Sequence, residues 1–201
     1  MLFLLDNGHG IQTKGKRSPD NKLLEYAYTR DIARHLVSEL KTKGYEVELL
    51  VPEDDDIPLS ERVRRTNTRC QTHGKSSVLL VSIHVNAAGD GTRWHTATGW
   101  SAYTCKGQTQ SDKLAECLYQ AAIKNFPDKR IRKDSSDGDA DWEENFYVLR
   151  NTLCPAVLTE NFFMDSLSDR DYLLSEVGKR AIVDTHVEGI LEYLKSSHQI
   201  M

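Results

Sequence analysis

Apolar positions along this chain switch repeatedly between a spacing of two and a spacing near four, and the switches divide it into alternating strands and helices. Residues 2–5 form a short apolar run closed by Asn7-Gly8-His9-Gly10, the pattern of a buried strand entering a tight loop. From residue 23 to about 43, Leu24, Tyr28, Ile32, Leu36 and Leu40 recur at helical spacing, and Gly44 ends the pattern. Residues 46–51 alternate polar and apolar and predict a strand. Residues 59 to about 72 predict a helix with Ser60 and Glu61 near its start. A second apolar, β-branched run at 78–83 suits a central strand covered on both faces. Further strands are predicted at 100–104 and 155–159, and helices at 111 to about 125 and 168 to about 195, the last in one piece or two.

Strands alternating with helices predict an α/β fold, a sandwich with the sheet in the middle. No internal repeat, low-complexity stretch or linker interrupts it, so residues 1–201 read as a single domain. In such sheets, sites gather at the strand ends. The Asn7–Gly10 loop, the end of the run at 78–83, and Glu160 all fall at C-terminal ends of predicted strands.

Composition narrows the function classes. Apolar residues are 39% and charged residues 28%, with a formal charge of −4, which does not suit a nucleic-acid footprint of clustered Lys and Arg. The basic run at 129–133 is short, runs into acidic residues, and reads as a solvated loop. Four separated cysteines form no Cys-x-x-Cys pair, and Cys70, Cys117 and Cys154 sit among apolar neighbours as small core residues. No apolar run is long enough to span a bilayer, and Asp6 interrupts the first one too early for a signal peptide.

Of seven histidines, His9 and His84 stand out. His9 lies between two glycines that let the backbone turn sharply, and His84 stands at the tip of a buried run. Either alone is more often a hydrogen-bonded structural residue, but two at neighbouring strand ends can converge on one ion. Glu25 opens the first long helix, where an acidic residue commonly does no more than favour the helix dipole. Its apolar neighbours Leu23, Leu24 and Tyr26 pack that turn against the body and allow the carboxylate to aim inward. Two histidines and one glutamate form a catalytic zinc set that leaves a position open. Glu160, ending a buried run, is placed to act as a proton-accepting carboxylate.

Asp6-Asn7-Gly8-His9-Gly10, Leu24-Glu25, Ser82-Ile83-His84-Val85-Asn86-Ala87, Phe146-Tyr147-Val148-Leu149-Arg150 and Pro155-Ala156-Val157-Leu158-Thr159-Glu160 together resemble the N-acetylmuramoyl-L-alanine amidase type 3 family in order and spacing. Each motif is weak singly; in this order they are specific. The resemblance implies His9, Glu25 and His84 as ligands of one Zn2+ ion and Glu160 as the catalytic carboxylate. It also implies a three-layer sandwich with a mixed, roughly six-stranded sheet flanked by helices. The expected reaction, which only the resemblance supplies, is hydrolysis of the amide between N-acetylmuramic acid and L-alanine in peptidoglycan. Asp6, Asn86 and Arg150 are weaker candidates for substrate contact or for support behind the ligands.

The chain departs from the family pattern at Asn7, where proline is usual, and at Lys14, Lys16, Arg17 and Pro19, which replace a Gly-rich stretch. Trp94, His95 and the acidic residues 134–144 extend two further connections. These departures are expected to reshape the groove rim rather than the four central residues. The acidic stretch lacks the order of an EF-hand and reads as a solvated loop. No Gly-x-Ser-x-Gly elbow or phosphate-binding glycine motif is present. The rival readings are a zinc carboxypeptidase acting on stem peptides and a non-catalytic peptidoglycan-binding module, which loss of Glu160 or a ligand would mark. Expected partners are peptidoglycan and, outside this chain, an activator or wall-binding module; no nucleic acid or membrane span is expected. The expected site of action, which the resemblance implies, is the bacterial cell wall, reached by phage-type release or as an excised domain of a secreted enzyme.

Overall fold

The computed structural model describes residues 1–107, 109–136 and 138–198. Strand β1 (Leu2–Asn7) is buried along its whole length and joins β2 (Glu46–Leu49) and β3 (Val78–Asn86) on either side. Helix α1 (Glu25–Thr42) connects β1 to β2, and α2 (Leu59–His73) connects β2 to β3. There follow β4 (Ser101–Thr104), α3 (Gln110–Asn125), β5 (Trp142–Glu143), α4 (Tyr147–Asn151), β6 (Ala156–Phe163), α5 (Leu167–Leu174) and α6 (Glu176–His198). The six strands lie in the order β2-β1-β3-β6-β4-β5, all neighbours parallel except β4 with β6. The sheet is therefore mixed, as expected.

Strand parity divides the core in two, because successive side chains point to opposite faces. Phe3, Leu5, Val81, Ile83 and Val157 pack with Ile32 and Leu36 of α1, Leu118 of α3 and Ile190 of α6. Leu2, Leu4, Leu80 and Leu158 face the other way, with Val63 and Cys70 of α2 and Val148 of α4. The apolar stripe of α1 fixes which side that helix covers. Ile32, Leu36 and Leu40 are fully buried, each such side chain contributing about 2 kcal/mol of transfer free energy. Gly44, at φ 84°, closes α1: its N–H donates to the carbonyl of Lys41, while Tyr45 N–H reaches Leu40.

Four expectations are corrected. Strands β3 and β6 run on past their apolar stretches, so His84 and Glu160 lie within strands rather than at the tips. The ladder is a backbone property and continues through polar side chains. The basic run is not simply a solvated loop. Arg132 stacks over Trp142 and Phe163, Lys129 over Tyr172, and the segment bonds along Trp100 through the Arg130 carbonyl and the Arg132 N–H. In the acidic stretch, whose Asp137 lies outside the described residues, Asp141 is buried and accepts a bond from the Thr104 hydroxyl at 2.6 Å. Cys70 and Cys154 are buried as expected, whereas Cys117 is only partly so. No helix among the described residues is long and apolar enough to cross a membrane.

Candidate metal and catalytic site

The same parity builds the site. On the face that carries Leu2, Leu4, Leu80 and Leu158, the next positions toward the strand ends are Asp6, Ser82, His84 and Glu160. Register places Asp6 beside Ser82 and His84 beside Glu160. The apolar pattern thus hands over to polar chemistry on one face at one end of the sheet.

Glu25 arrives from the other layer. As the first residue of α1 it reaches over the sheet edge, where its Oε1 accepts the Val85 N–H at 2.9 Å and lies 3.2 Å from His84 Nδ1. Its Oε2 is buried without a hydrogen-bond partner among the described residues and lies 3.4 Å from His9 Nε2. The two imidazoles stand edge to face, with centroids 5.0 Å apart. Donor atoms of His9, Glu25 and His84 all fall within 4.8 Å of one another. A buried carboxylate oxygen left unsatisfied between two imidazoles calls for a cation, and two nitrogens with one oxygen suit a divalent metal such as zinc.

Local backbone makes this approach feasible. His9 adopts a left-handed φ of 60°, a conformation that costs a non-glycine residue some strain. A Cβ at Gly8 would overlap the His84 ring, and one at Gly10 would overlap the backbone of Asp56. The loop is held from behind by Arg62, whose buried guanidinium pairs with Asp6 Oδ1 at 2.6 Å. It also donates to the carbonyls of Asn7 (2.6 Å), Ile57 (2.9 Å) and His9 (3.2 Å). Asp6 completes its shell by accepting from the Ser82 hydroxyl at 2.6 Å. Asp6 therefore holds the loop through Arg62 and makes no hydrogen bond to the imidazole of His9 or His84.

Electrostatics separates the ionisable groups. Burial drives the His9 pKa down to about 4, and the charges of His84 and Lys16 push the same way, against Glu25. Burial also disfavours a charged His84, but its hydrogen bond to Glu25 and the charges of Glu25, Glu160 and Asp6 hold its pKa above the ordinary value. Burial opposes ionisation of Glu25; the hydrogen bond and charge of His84 outweigh it and keep that pKa low. Glu160 is pushed up to about 7, chiefly by burial and also by Glu25, against His84 and Lys16. Two neighbouring carboxylates with pKa values driven apart are suited to different roles.

All of these groups except Glu25 line one cavity of about 590 Å³. His9, His84, Glu160 and Asp6 stand in its wall with Arg62 and Lys16. An apolar border comes from Ile57, Pro58 and Leu59 at the start of α2 and from Phe146, Tyr147 and Val148 at the start of α4. Asn86 and Arg150 do not line this cavity: Asn86 Oδ1 accepts the Ala87 N–H, and Arg150 is exposed on α4. Sequence reading passed over Arg62, although a signal exists. Arg62, Thr66 and Cys70 recur every fourth residue along the buried stripe of α2, so a cation falls where an apolar residue would be expected.

A second acidic group lies apart from this cavity: Asp112, Asp139 and Asp141 bring carboxylate oxygens within 4.8 Å of one another. Thr104 Oγ1 contacts Asp112 and Asp141 at 2.9 and 2.6 Å, and burial lifts Asp141 to about 7.

Comparison with known proteins places these features in a lineage. A family model described as N-acetylmuramoyl-L-alanine amidase matches residues 3–192. The chain is 32% identical over 200 residues to the endolysin of Bacillus phage SPP1, covering 96% of this chain and 66% of that protein. It is 28% identical over 188 residues to the N-acetylmuramoyl-L-alanine amidase CwlM of Bacillus licheniformis, covering 94% and 66%. It thus spans about two thirds of the length of these two curated relatives. Among solved structures, the N-acetylmuramoyl-L-alanine amidase from Clostridium difficile 630 superposes with a TM-score of 0.81 at 28% identity, covering 97% of each chain.

Proposed function

The chain belongs to the N-acetylmuramoyl-L-alanine amidase family, and from that premise we propose that it hydrolyses the amide joining N-acetylmuramic acid to L-alanine in peptidoglycan, with residues 1–201 as one catalytic domain. The observation that carries this reading is the convergence of His9, Glu25, His84 and Glu160 at one end of the sheet, with the two histidines and Glu160 lining one cavity, in a chain that matches the family from residue 3 to 192.

His9, Glu25 and His84 would hold one zinc ion, which when bound supplies an electrophile for the scissile carbonyl and makes water acidic enough to attack near neutral pH. Glu25 supplies the negative charge of that set and, through Val85 N–H, ties it to the β3 backbone. The family resemblance implies this carboxylate as a ligand and Glu160 as the base, and the closeness of Glu25 to both imidazoles supports the first role. Glu160, neighbour of His84 in the register, accepts the proton of the attacking water and delivers it to the departing alanine nitrogen. A carboxylate poised near 7 does both, because it neither holds its proton too tightly nor releases it too readily. The apolar border of Ile57, Pro58, Phe146 and Tyr147 shields the reacting amide from bulk water. The cell wall is then the site of action, and peptidoglycan the partner.

The test is direct. Purified protein is incubated with peptidoglycan, with and without a chelator, and the soluble fragments are analysed by mass spectrometry. Chelator-sensitive release of intact stem peptides beginning with free L-alanine is the expected result. Shortened stems or single amino acids would replace this reading with a peptidase, and no release would leave only a binding role.

A further inference from the structure

Two side-chain cations other than histidine line the catalytic cavity, and their circumstances differ. Arg62 is spent on structure: Asp6, the Asn7 and Ile57 carbonyls and, at longer range, His9 occupy its donors. Lys16 is not. Among the described residues its ammonium forms no ion pair, although three carboxylates (Asp6, Asp56 and Glu160) share the cavity lining with it. The remainder of the lining near the α2 and α4 starts is apolar.

The position of Lys16 is well fixed even though its end is free. Its carbonyl accepts the N–H of Glu25 at 3.0 Å, the neighbouring Arg17 bridges to Leu24, and Gly15 turns the chain just before it at φ 76°. The backbone of Lys16 is therefore docked on the first turn of the helix that carries Glu25. Lys16 shares the cavity wall with His9 and Glu160, and its backbone is bonded to Glu25. An ammonium that shares a cavity with carboxylates yet contacts none leaves room for an anion brought by the substrate. Half-desolvated ammonium groups gain most from such a partner when the acceptor is a carboxylate.

Under the amidase reading, on which this inference rests, the scissile amide itself is neutral. The nearest acid in a stem peptide is on the residue after L-alanine, a glutamate joined through its side-chain carboxyl. Its α-carboxyl is left either free or capped as a carboxamide. We propose that Lys16 is a specificity-determining residue that pairs with the free α-carboxylate of the second stem residue, so that the enzyme prefers free-acid stems over amidated ones. The pairing strengthens binding more than turnover, because the carboxylate lies one residue away from the reacting bond.

The experiment uses two synthetic N-acetylmuramoyl peptides that differ only in carboxylate versus carboxamide at that position. Steady-state rates are measured for the wild type, Lys16→Gln and Lys16→Arg, with thermal melts to establish that each variant is folded. The wild type is expected to favour the acid by about tenfold in kcat/KM, expressed mainly in KM, as one charge-assisted contact allows. Lys16→Gln should bring the ratio near one, and Lys16→Arg should retain the preference. No preference in the wild type, or an equal loss on both peptides in Lys16→Gln, overturns the assignment while leaving the amidase reading in place. Failure of the wild type to cleave either peptide removes the amidase reading and the assignment with it.

Discussion

His84 and Glu160 are register partners on adjacent parallel strands, β3 and β6, and both side chains face the same cavity. This pairing sets the two halves of the proposed chemistry, a metal ligand and a proton-accepting carboxylate, one strand spacing apart in the sheet.

That arrangement separates the consequences of substituting each partner. Glu160→Gln should keep its metal and lose about 10²- to 10⁴-fold in turnover, the range for a missing general acid–base group. His84→Ala should lose metal and activity together. Metal content by atomic absorption alongside peptide-release rates checks both, and a Glu160→Gln enzyme with ordinary turnover would remove Glu160 from the mechanism.

Gly8 is the second point of leverage. Its missing side chain leaves the space the His84 imidazole occupies. Gly8→Ala should therefore behave as a ligand variant without touching a ligand, weakening metal binding by about 10- to 100-fold, as perturbing the surroundings of a site commonly does. Competition against a chromophoric chelator measures this. Unchanged affinity would mean that His84 in solution stands elsewhere.

The pair Arg62–Asp6 is nearly solvent-free, at 3% and 1% exposure of the two side chains. Removing one partner leaves the other charged and buried. Arg62→Met should cost about 3–5 kcal/mol in urea unfolding, and combining it with Asp6→Leu should cost clearly less than the two single losses together. Additive losses would show that the two groups act independently.

Behind the sheet, His186 on α6 is fully buried, with Nδ1 2.8 Å from the Ile182 carbonyl and Nε2 2.9 Å from the Thr159 hydroxyl. Burial lowers its pKa from 6.5 to about 4. Between those values the unfolded chain binds a proton that the folded chain refuses. The stability held by neutral His186 is thus complete above about pH 6.5 and is lost as pH falls toward 4, by roughly 3 kcal/mol at the limit. Urea unfolding of metal-free wild type and His186→Gln at pH 7.5 and pH 5 should show their difference narrowing by about 2 kcal/mol. Parallel pH profiles would place the acid sensitivity in other groups.

Much of this protein was legible from its amino-acid order because local periodicity is a local property. The apolar run of β1, the stripe Ile32–Leu36–Leu40 and the glycine after α1 announce a strand, a helix face and a stop without reference to anything distant. The ordered motifs around His9, Glu25, His84 and Glu160 were equally visible, and the family match bears out the lineage they suggested. What remained hidden depends on contacts between residues far apart in the chain. That Arg62 grips the His9 loop across 53 positions follows from α2 packing over β1, and no periodicity encodes a partner. The basic run around Arg132, read as solvated, meets the rings of Trp142 and Phe163 only once β6 lies beside β4. Side-chain direction within a strand is set by parity and can be counted along the sequence; which strands become neighbours, and so which polar residues share a cavity, is decided when the two cores close on either face of the sheet.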